Sequence, residues 1–352
     1  MLTTSGLPGF AVQRLLTDRL LAFVECSGIA RLLAGRRRFT QDDAMAMLAD
    51  ELGFAVRDSI RARMVHVLLD FLDDCEYVRT EPDGTRRWNL SAVPPWHPSE
   101  HEEHEICRTF DGQMEFFGQC LAYVGRFLEG APPLFDFAGT STNAWERLLG
   151  NGEIAYARSV LSRLLLPRAV EGARILVLCY GPGFDLVEIE RRRPDARITA
   201  LDFTNAFFDV ASRRLTRPEA VRWVDGSSWK GFGSPLPFDD GWFDVVLFAC
   251  ADPYIPPAVR VLAYEDIHRV MRAGAVLGVL THSYPDKARL AVAESWIRRG
   301  TYCHDFLESV CQGWQGFYDA AATRALFTQV GFGLDVVTLN ASVWRLQKPG
   351  TR

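Results

Sequence analysis

Side chains that could bind a ligand or move a proton follow three apolar runs in the second half of the sequence. Asp202 and Asp225 each come directly after such a run, and His282 lies shortly beyond a third. The runs are 198–201, 221–224 and 275–280. A carboxylate at the end of a strand can accept hydrogen bonds from ribose hydroxyls, and a histidine can take up a proton near neutral pH. Strands that end at one edge of a sheet would bring such groups to a single site.

A glycine turn precedes Asp202. Residues 175–178 (Ile-Leu-Val-Leu) are a continuous apolar run, as a strand buried on both faces requires. Residues 180–183 (Tyr-Gly-Pro-Gly) follow, a turn whose backbone must pass close to something with no side chain between. Residues 186–191 predict a helix that Pro194 ends, and Asp202 closes the next strand about 20 residues after the turn. Strand, turn, helix and acid together predict a nucleotide-binding βαβ unit.

Later segments extend the pattern. Phe243-Asp244-Val245-Val246 begins a further apolar strand, and 336–339 with 342–346 predict a closing hairpin. Together with the glycine turn and its acid, this run from Ala169 to Lys348 resembles the class I S-adenosylmethionine (SAM)-dependent methyltransferase family. The resemblance implies an α/β fold with a Rossmann-like sheet and SAM as the cofactor.

The same resemblance assigns roles to particular residues. It implies that Gly181 and Gly183 line the methionine part of SAM, that Asp202 holds the ribose and that Asp225 contacts the adenine amine. Further cofactor contacts are expected from Cys179, Tyr180, Phe203, Gly226, Ser227, Ala249 and Cys250. Candidates for the substrate pocket are Asn143, Trp145, Tyr156, Asp252 and Tyr254. A packed interdomain helix is the alternative role for Trp145 and Tyr156.

The glycine turn also allows two alternative roles. An NAD-type Rossmann domain uses a third glycine for close helix–strand packing, which this turn lacks. The glycines could also serve packing alone. The turn departs from the methyltransferase pattern as well: many members carry an acid just before it, where this chain has Cys179, and Asp185 replaces a later glycine. A thiol there removes negative charge, so a nearby ammonium should lose its proton more easily, and the ring of Tyr180 could attract the sulfonium.

These departures allow a second reaction. A free amine could attack the γ-carbon of SAM itself, expelling methylthioadenosine and closing a four-membered ring. That is the reaction of azetidine-2-carboxylate synthases, which resemble methyltransferases in fold. SAM would then be the sole substrate, and Asn143 and Tyr180 would hold its folded methionine chain. Without this chemistry, Cys179 is a packed strand residue and Tyr180 a spacer.

Methyl transfer to a hydroxyl needs a base, and His282 is the candidate. Its alternative role is capping or packing against the following helix. Plant-type O-methyltransferases keep their catalytic histidine just after the fourth strand. This chain has residues 250–254 (Cys-Ala-Asp-Pro-Tyr) there, so that base is not carried over.

Composition bounds the whole chain of 352 residues. It is 48% hydrophobic and 24% charged, which suits two folded domains and not disorder. The net charge of −5 predicts no nucleic acid or anionic membrane as a partner, and no apolar run is long enough to span a bilayer. The eight cysteines form no C-x-x-C pair, and the start lacks a signal-peptide pattern, so we expect reduced thiols in a cytoplasmic protein.

Residues 1–92 predict a winged helix. Thr40 can cap a helix ending at Gly53, a third helix spans 59–72, and Pro82-Asp83-Gly84 is a hairpin turn signal. Residues 36–38 are three arginines, which would suit DNA and a SAM-binding regulator, but the acidic chain lacks a basic surface. The order winged helix, linker, SAM domain resembles small-molecule O-methyltransferases, whose first module dimerises. We therefore expect a homodimer.

Residues 93–168 predict a helical linker and lid, in which Ser99 and Glu102 form a capping box. His97, His101 and His104 suggest a metal site, but a solvated, acid-rich first turn accounts for them, so no metal is expected. Residues 296–317 predict either a substrate-pocket insertion or a helix that covers one sheet face. The SAM domain is expected over 169–352. The predicted function is transfer of the SAM methyl group to a small natural-product acceptor, with SAM cyclisation as the alternative.

Overall fold

The computed structural model describes residues 8–94, 96–289 and 293–350. The helices are α1 (Pro8–Cys26), α2 (Ile29–Ala34), α3 (Gln41–Leu52), α4 (Ser59–Asp74), α5 (Glu100–Thr109), α6 (Asp111–Leu128), α7 (Thr142–Leu149), α8 (Gly152–Leu165), α9 (Phe184–Arg192), α10 (Phe208–Arg214), α11 (Arg260–Val270), α12 (Ser295–Glu308) and α13 (Ala320–Val330). The strands are β1 (Val78–Thr80), β2 (Arg86–Trp88), β3 (Arg174–Leu178), β4 (Arg197–Leu201), β5 (Val221–Val224), β6 (Phe243–Ala249), β7 (Met271–Leu280), β8 (Ser283–Tyr284), β9 (Tyr318–Asp319), β10 (Gly333–Thr338) and β11 (Val343–Gln347).

The chain forms two compact units that are not contiguous in sequence. One comprises the described residues of Met1–Asp136 and Arg289–Gly316, and the other those of Phe137–Ala288 and Phe317–Arg352. The sequence predicted boundaries at 92 and 168 instead. The structure groups residues 137–168 with the unit that contains β3 to β7, and it groups residues 293–316 with the N-terminal unit.

Seven strands of the described chain form one sheet, in the order β10-β11-β7-β6-β3-β4-β5. The strands from β3 to β7 run parallel, whereas β11 is antiparallel to its neighbours β7 and β10. The order reverses at β3, since β4 and β5 extend to one side and β6 and β7 to the other. Ligands bind beyond the carboxyl ends of strands at such a reversal. The predicted Rossmann-like sheet with its closing hairpin is confirmed.

The central strands are buried on both faces, as their continuous apolar runs indicated. The last four residues of β3 and of β4 are all buried, and so are the first six of β6. Large rings of the helices and strands around this sheet pack in the same core; they include Phe248, Tyr264, Phe327 and Trp344. A sheet covered in this way is rigid, so the loops at its carboxyl edge start from fixed positions.

The described part of the N-terminal unit begins with four helices and a short hairpin. Thr40 caps α3 in a capping box with Asp43, and Ser99 caps α5 in the capping box predicted with Glu102. β1 and β2 pair antiparallel around the predicted turn. These elements have the order expected of a winged helix, and that designation stays a prediction.

Residues 293–316, which contain α12, are joined to the rest of this unit by buried ion pairs. α12 packs on α1, α4 and α6. Asp305 in α12 is fully buried; its carboxylate forms a double hydrogen bond with Arg63 of α4, with 2.8 Å between Nη1 and Oδ1, and accepts one from Trp314 Nε1 at 2.9 Å. Arg298 and Arg299 both contact the carboxylate of Asp74, at 2.6 and 3.0 Å. The helix therefore belongs to the N-terminal unit and not to the layer that covers the sheet.

Among the described residues, none of the helices has both the length and the apolar character that crossing a bilayer demands.

Candidate functional site at the carboxyl edge of the sheet

The glycine turn lies at the carboxyl end of β3. Gly181 and Gly183 have φ of +47° and +87°, in the left-handed region that glycine adopts without strain. A Cβ added at Gly183 would lie 2.8 Å from the Cα of Ala211 in α10, so Gly183 is required for packing. At Gly181 the nearest atom to an added Cβ is a Leu149 methyl at 3.7 Å, which leaves the backbone approachable. Packing thus accounts for Gly183, whereas a side chain at Gly181 would meet only an ordinary contact with Leu149.

Asp202 joins the turn to the end of β4. Its Oδ2 accepts a hydrogen bond of 2.9 Å from the N–H of Gly181, whereas its Oδ1 is buried and has no hydrogen-bond partner among the described residues. Only 2% of the residue is exposed. Burial raises the pKa of this carboxyl to about 7, against the lowering effect of the Gly181, Phe203 and Thr204 N–H groups. A buried acceptor without a donor is costly, so this oxygen is poised to accept a hydrogen bond from a ligand.

The loop after β5 is held by a residue that the sequence did not single out. Asn205 donates from Nδ2 to Asp225 Oδ1 at 2.9 Å and accepts from the Gly226 N–H at 2.8 Å. Ser227 also donates its N–H to Asp225 Oδ1, at 2.8 Å. The Asn205 amide, followed by these contacts to Ser227, lowers the pKa of the exposed Asp225 carboxyl. Asn205 lies three residues after Asp202, and this nearness in sequence was the signal that could have identified it as a site residue.

Cys179 and Tyr180 lie beside Asp202. Cys179 has a φ of +56°, an uncommon conformation for a residue with a side chain. Burial first, and then the nearby Asp202, raises the pKa of both the Cys179 thiol and the Tyr180 phenol. Both side chains are therefore neutral at physiological pH. The Tyr180 ring is buried edge-on against Trp223, with 5.3 Å between centroids.

Asp185, at the start of α9, forms a buried ion pair with Arg158 of α8, with 3.2 Å between Oδ1 and Nε. Arg158 also donates to the Leu149 carbonyl at 3.2 Å. The guanidinium groups of Arg158 and Arg214 lie 5.1 and 4.0 Å from the ring centroid of Phe184. The departure from glycine at Asp185 thus has a structural cause, since it ties α7 and α8 to the nucleotide turn.

Four aromatic rings form a cluster at the same edge, which we call the aromatic cluster: Phe137, Trp145, Phe203 and Tyr254. The Phe137 ring stacks on Trp145, with centroids 5.3 Å apart and 13° between planes. It meets Phe203 and Tyr254 edge to face, at 4.8 and 5.2 Å. Thr204 Oγ1 donates to the Phe137 carbonyl at 3.3 Å, which anchors the cluster to the loop after Asp202. Phe137 was not among the predicted site residues.

Asp252, a predicted pocket residue, has a buried carboxylate that is held by neighbouring side chains. It is 1% exposed and pairs with Arg260 through bonds of 3.1 and 2.9 Å, and Tyr264 Oη donates to it at 2.7 Å. Tyr318 stacks on the same guanidinium at 3.6 Å and donates its hydroxyl to the Ile255 carbonyl. This network holds the turn that presents Tyr254.

The remaining predicted residues are placed as follows. Ala249 and Cys250 end β6; Cys250 has a φ of +61° and donates its N–H to the Leu280 carbonyl at 2.7 Å. His282 is exposed just beyond β7, with its ring 5.3 Å from that of Phe317. Asn143 is exposed on α7. Tyr156 is 64% exposed on α8, and its place in a pocket wall stays a prediction.

The residues at this edge fit an adenosyl ligand. The free Oδ1 of Asp202 supplies the acceptor that ribose hydroxyls need, and the carboxylate of Asp225 is an acceptor for an amine. Gly226 allows the two loops to approach, since an added Cβ would lie 3.0 Å from the Asp202 carbonyl oxygen. The described residues contain no group of three or more His, Cys, Asp or Glu side chains that could hold a metal ion.

Comparisons with known proteins agree with this geometry. A protein family described as "methyltransferase domain" matches residues 175–274, which include the glycine turn, Asp202 and Asp225. No curated protein sequence matches the chain significantly.

Solved structures match nearly the whole chain. The CurJ carbon methyltransferase has a TM-score of 0.64 at 14% identity, with 97% of this chain and 91% of that one covered. An O-methyltransferase family 2 protein from Planctomyces limnophilus, in complex with apigenin, has a TM-score of 0.59 at 13% identity, with 98% of this chain and 95% of that one covered. Human N-acetylserotonin methyltransferase in complex with SAM has a TM-score of 0.52 at 17% identity, with 97% of this chain and 95% of that one covered. At these identities the likeness shows the fold: the chain has the fold of class I SAM-dependent methyltransferases, and its residues 175–274 match a methyltransferase domain.

Proposed function

We propose that the protein transfers the methyl group of SAM to a small-molecule acceptor. The observation that carries this proposal is the buried Oδ1 of Asp202 beside the glycine turn, which has no hydrogen-bond donor among the described residues. Ribose hydroxyls would supply the missing hydrogen bonds. The likeness to proteins solved with apigenin and named for N-acetylserotonin supports a small acceptor. When bound, SAM supplies an activated methyl group to a nucleophile placed in line with its sulfur–carbon bond.

The chain's own residues bind, orient and desolvate in this proposal. Asp202 accepts hydrogen bonds from the ribose, and Asp225, oriented by Asn205, contacts the adenine amine. His282 takes the proton of a hydroxyl acceptor. It is exposed just beyond β7, which is separated from β3 by β6 in the sheet. Asp252 is not the base, because Arg260 and Tyr264 occupy its oxygens. Positioning and water exclusion then lower the barrier without a covalent intermediate.

The test is product analysis with purified protein and methyl-labelled SAM. With a panel of small phenols and amines that includes apigenin, we expect S-adenosylhomocysteine (SAH) and a labelled acceptor. Asp202→Asn should lower SAH affinity about 10- to 100-fold, since hydrogen bonds to a charged group are lost. Asp239→Asn, an exposed acid of the same unit, is the matched control and should change nothing. His282→Gln should reduce turnover with hydroxyl acceptors and leave SAH affinity unchanged.

SAM alone distinguishes the alternative reaction. Methylthioadenosine and a cyclic amino acid formed without any acceptor would overturn methyl transfer in favour of SAM cyclisation. The exposed Asn143 and the Tyr180 ring packed on Trp223 are the residues that this alternative would need to hold the methionine chain. Failure to bind either SAM or SAH would overturn both.

We further propose a cytoplasmic homodimer. The eight cysteines all lie in the described residues and form no disulfide there, as expected in a reducing compartment. Leu90 and Val93, in the N-terminal unit, are 86% and 76% exposed and could meet a second copy. Light scattering after size exclusion should give about twice the monomer mass, and Leu90→Asp with Val93→Asp should halve it. A monomeric native protein would contradict the dimer.

A further inference from the structure

Arg214, the last residue of α10, joins the glycine turn to two helices. Its Nε donates a hydrogen bond of 3.0 Å to the carbonyl of Pro182, inside the turn. Its Nη2 forms an ion pair with the carboxylate of Glu146 in α7. The guanidinium also lies over the ring of Phe184, the first residue of α9, with 4.0 Å between its carbon and the ring centroid. All four residues belong to the unit that contains the sheet.

The glycine turn needs such a contact to keep one conformation. It contains two glycines with φ in the left-handed region, and glycine has more backbone freedom than any other residue. The peptide group between Pro182 and Gly183 is held on both sides. Its N–H donates to the Tyr180 carbonyl at 3.0 Å, and its carbonyl accepts from Arg214. Rotation of this peptide group would break both hydrogen bonds, so Arg214 fixes its orientation.

Two ion pairs connect this region to α7 and α8, and they differ in exposure. The side chains of Arg158 and Asp185 are 5% and 8% exposed, and Arg158 also holds the carbonyl of Leu149 at the end of α7. The side chains of Arg214 and Glu146 are 26% and 37% exposed. Water screens a pair of the second kind, so it can open at little cost in stability, whereas breaking a buried pair leaves a desolvated charge. The end of α7 is therefore fixed, and the helical turn before it is held by a contact that can break and re-form.

One guanidinium serves both the glycine turn and α7, which links the positions of the two. A contact that fixes the Pro182 carbonyl also fixes Arg214, and a fixed guanidinium loses less conformational freedom when it pairs with Glu146. The effect is reciprocal, because formation of the ion pair favours the held conformation of the turn by the same factor. A ligand that binds against the glycine turn should therefore stabilise α7 through Arg214.

We propose that Arg214 is a positioning residue for SAM, which fixes the glycine turn and, through Glu146, makes the order of α7 depend on SAM binding. This inference rests on the proposed function, because it places SAM at the glycine turn. α7 carries Asn143 and Trp145, two of the residues predicted for the substrate pocket. SAM binding then orders the helix that carries them, so SAM binds before the acceptor.

Calorimetric titration with SAH tests the positioning role. Arg214→Gln removes the charged donor and should weaken SAH binding about tenfold. Arg214→Lys keeps a positive charge beside Glu146 and one donor for the Pro182 carbonyl, so it should restore most of the affinity. Arg213→Gln removes an exposed charge from the same helix and is the matched control, with an expected change of less than about twofold.

Hydrogen exchange in α7 tests the coupling. In the wild-type protein, saturation with SAH should slow exchange of residues 142–149 about threefold or more. In Glu146→Gln, at an SAH concentration that saturates the variant, this slowing should be lost, because the amide cannot form the ion pair. Arg213→Gln should keep the slowing.

Failure of either role and failure of the proposed function give different results. Wild-type SAH affinity in Arg214→Gln, or an equal loss in Arg213→Gln, would overturn the positioning role. Slowing of α7 exchange that persists in Glu146→Gln would overturn the coupling, since the ligand itself would then protect the helix. Wild-type protein that binds neither SAM nor SAH would remove the proposed function instead. If Arg214→Gln does not fold, Arg214→Met, which keeps an unbranched stem over the Phe184 ring, provides the same comparison.

Discussion

At the scale of single residues, Asp202 combines burial with an incomplete set of hydrogen bonds. The N–H of Gly181 satisfies one oxygen, and no described group satisfies the other. Desolvation therefore favours the neutral acid, and the pKa rises from its ordinary value of 3.8 to about 7. The same carboxylate that costs stability in the free protein is an acceptor for a ligand, so stability and affinity depend on pH with opposite signs.

The first prediction is this pair of pH dependences. The folded-state pKa of Asp202 lies above its unfolded value, so its stabilising contribution is complete below about pH 4 and is lost as pH rises to about 7. Each unit of pKa shift is worth roughly 1.4 kcal/mol. SAH affinity should instead rise between about pH 5.5 and 8, because ribose hydroxyls donate to the ionised form. Chemical denaturation and calorimetry across this range measure the two effects.

Asp202→Asn is the control for both pH dependences, that of stability and that of SAH affinity. The amide does not titrate, so the variant should lack the Asp202 part of each dependence and be more stable than wild type at about pH 8. A wild-type affinity for SAH that does not change over this range would show that Asp202 does not titrate in the free site.

At the scale of elements, Gly183 links the glycine turn to the packing of α10 beside it. It precedes α9 with a φ of +87° and packs against Ala211 of α10. Gly181 shares the positive φ, but an added Cβ there would make only an ordinary contact with Leu149. The two glycines therefore separate the cost of backbone strain from the cost of a steric clash.

The second prediction compares their alanine variants. Gly181→Ala should lose about 1 kcal/mol of unfolding free energy from strain alone, whereas Gly183→Ala should lose about 3 kcal/mol or more, because α10 must shift. Urea denaturation of both variants measures the difference. Equal losses would mean that α10 moves freely, and the packing role of Gly183 would be wrong.

The elements also show how far sequence could lead. The continuous apolar runs of β3, β4 and β6 and the acid after β4 were sufficient to predict the sheet, its nucleotide turn and Asp202. Asn205 and Phe137 were missed because their roles depend on contacts over 20 and 67 residues, with Asp225 and Thr204. The partners of Asp252 were also out of reach, since no local pattern shows that Arg260 and Tyr264 converge on its carboxylate.

At the scale of the whole molecule, the N-terminal unit depends on a distant segment. Asp305 pairs with Arg63 across 242 residues, and the pair is partly buried in the packing of α12 against α4. Breaking one side of such a pair leaves a desolvated charge without compensation.

The third prediction concerns Asp305→Asn. It should destabilise the N-terminal unit by about 3 kcal/mol, and hydrogen exchange should accelerate in α4 and α12 while β3, β4 and β6 keep their protection. Asp83→Asn, which breaks the exposed pair with Arg38 of the same unit, should cost less than about 0.5 kcal/mol. Equal acceleration in the sheet would contradict two separately stable units.

The return of residues 293–316 to the N-terminal unit also matters during translation. A ribosome adds about 5–20 residues per second, so α1 and α4 emerge roughly 10–50 s before the helix that covers them. Their apolar faces stay accessible to chaperones throughout that interval, while the strands of the methyltransferase sheet are still being made. A fragment ending near residue 136 should accordingly aggregate, and co-expression of a peptide spanning 289–316 should restore its solubility.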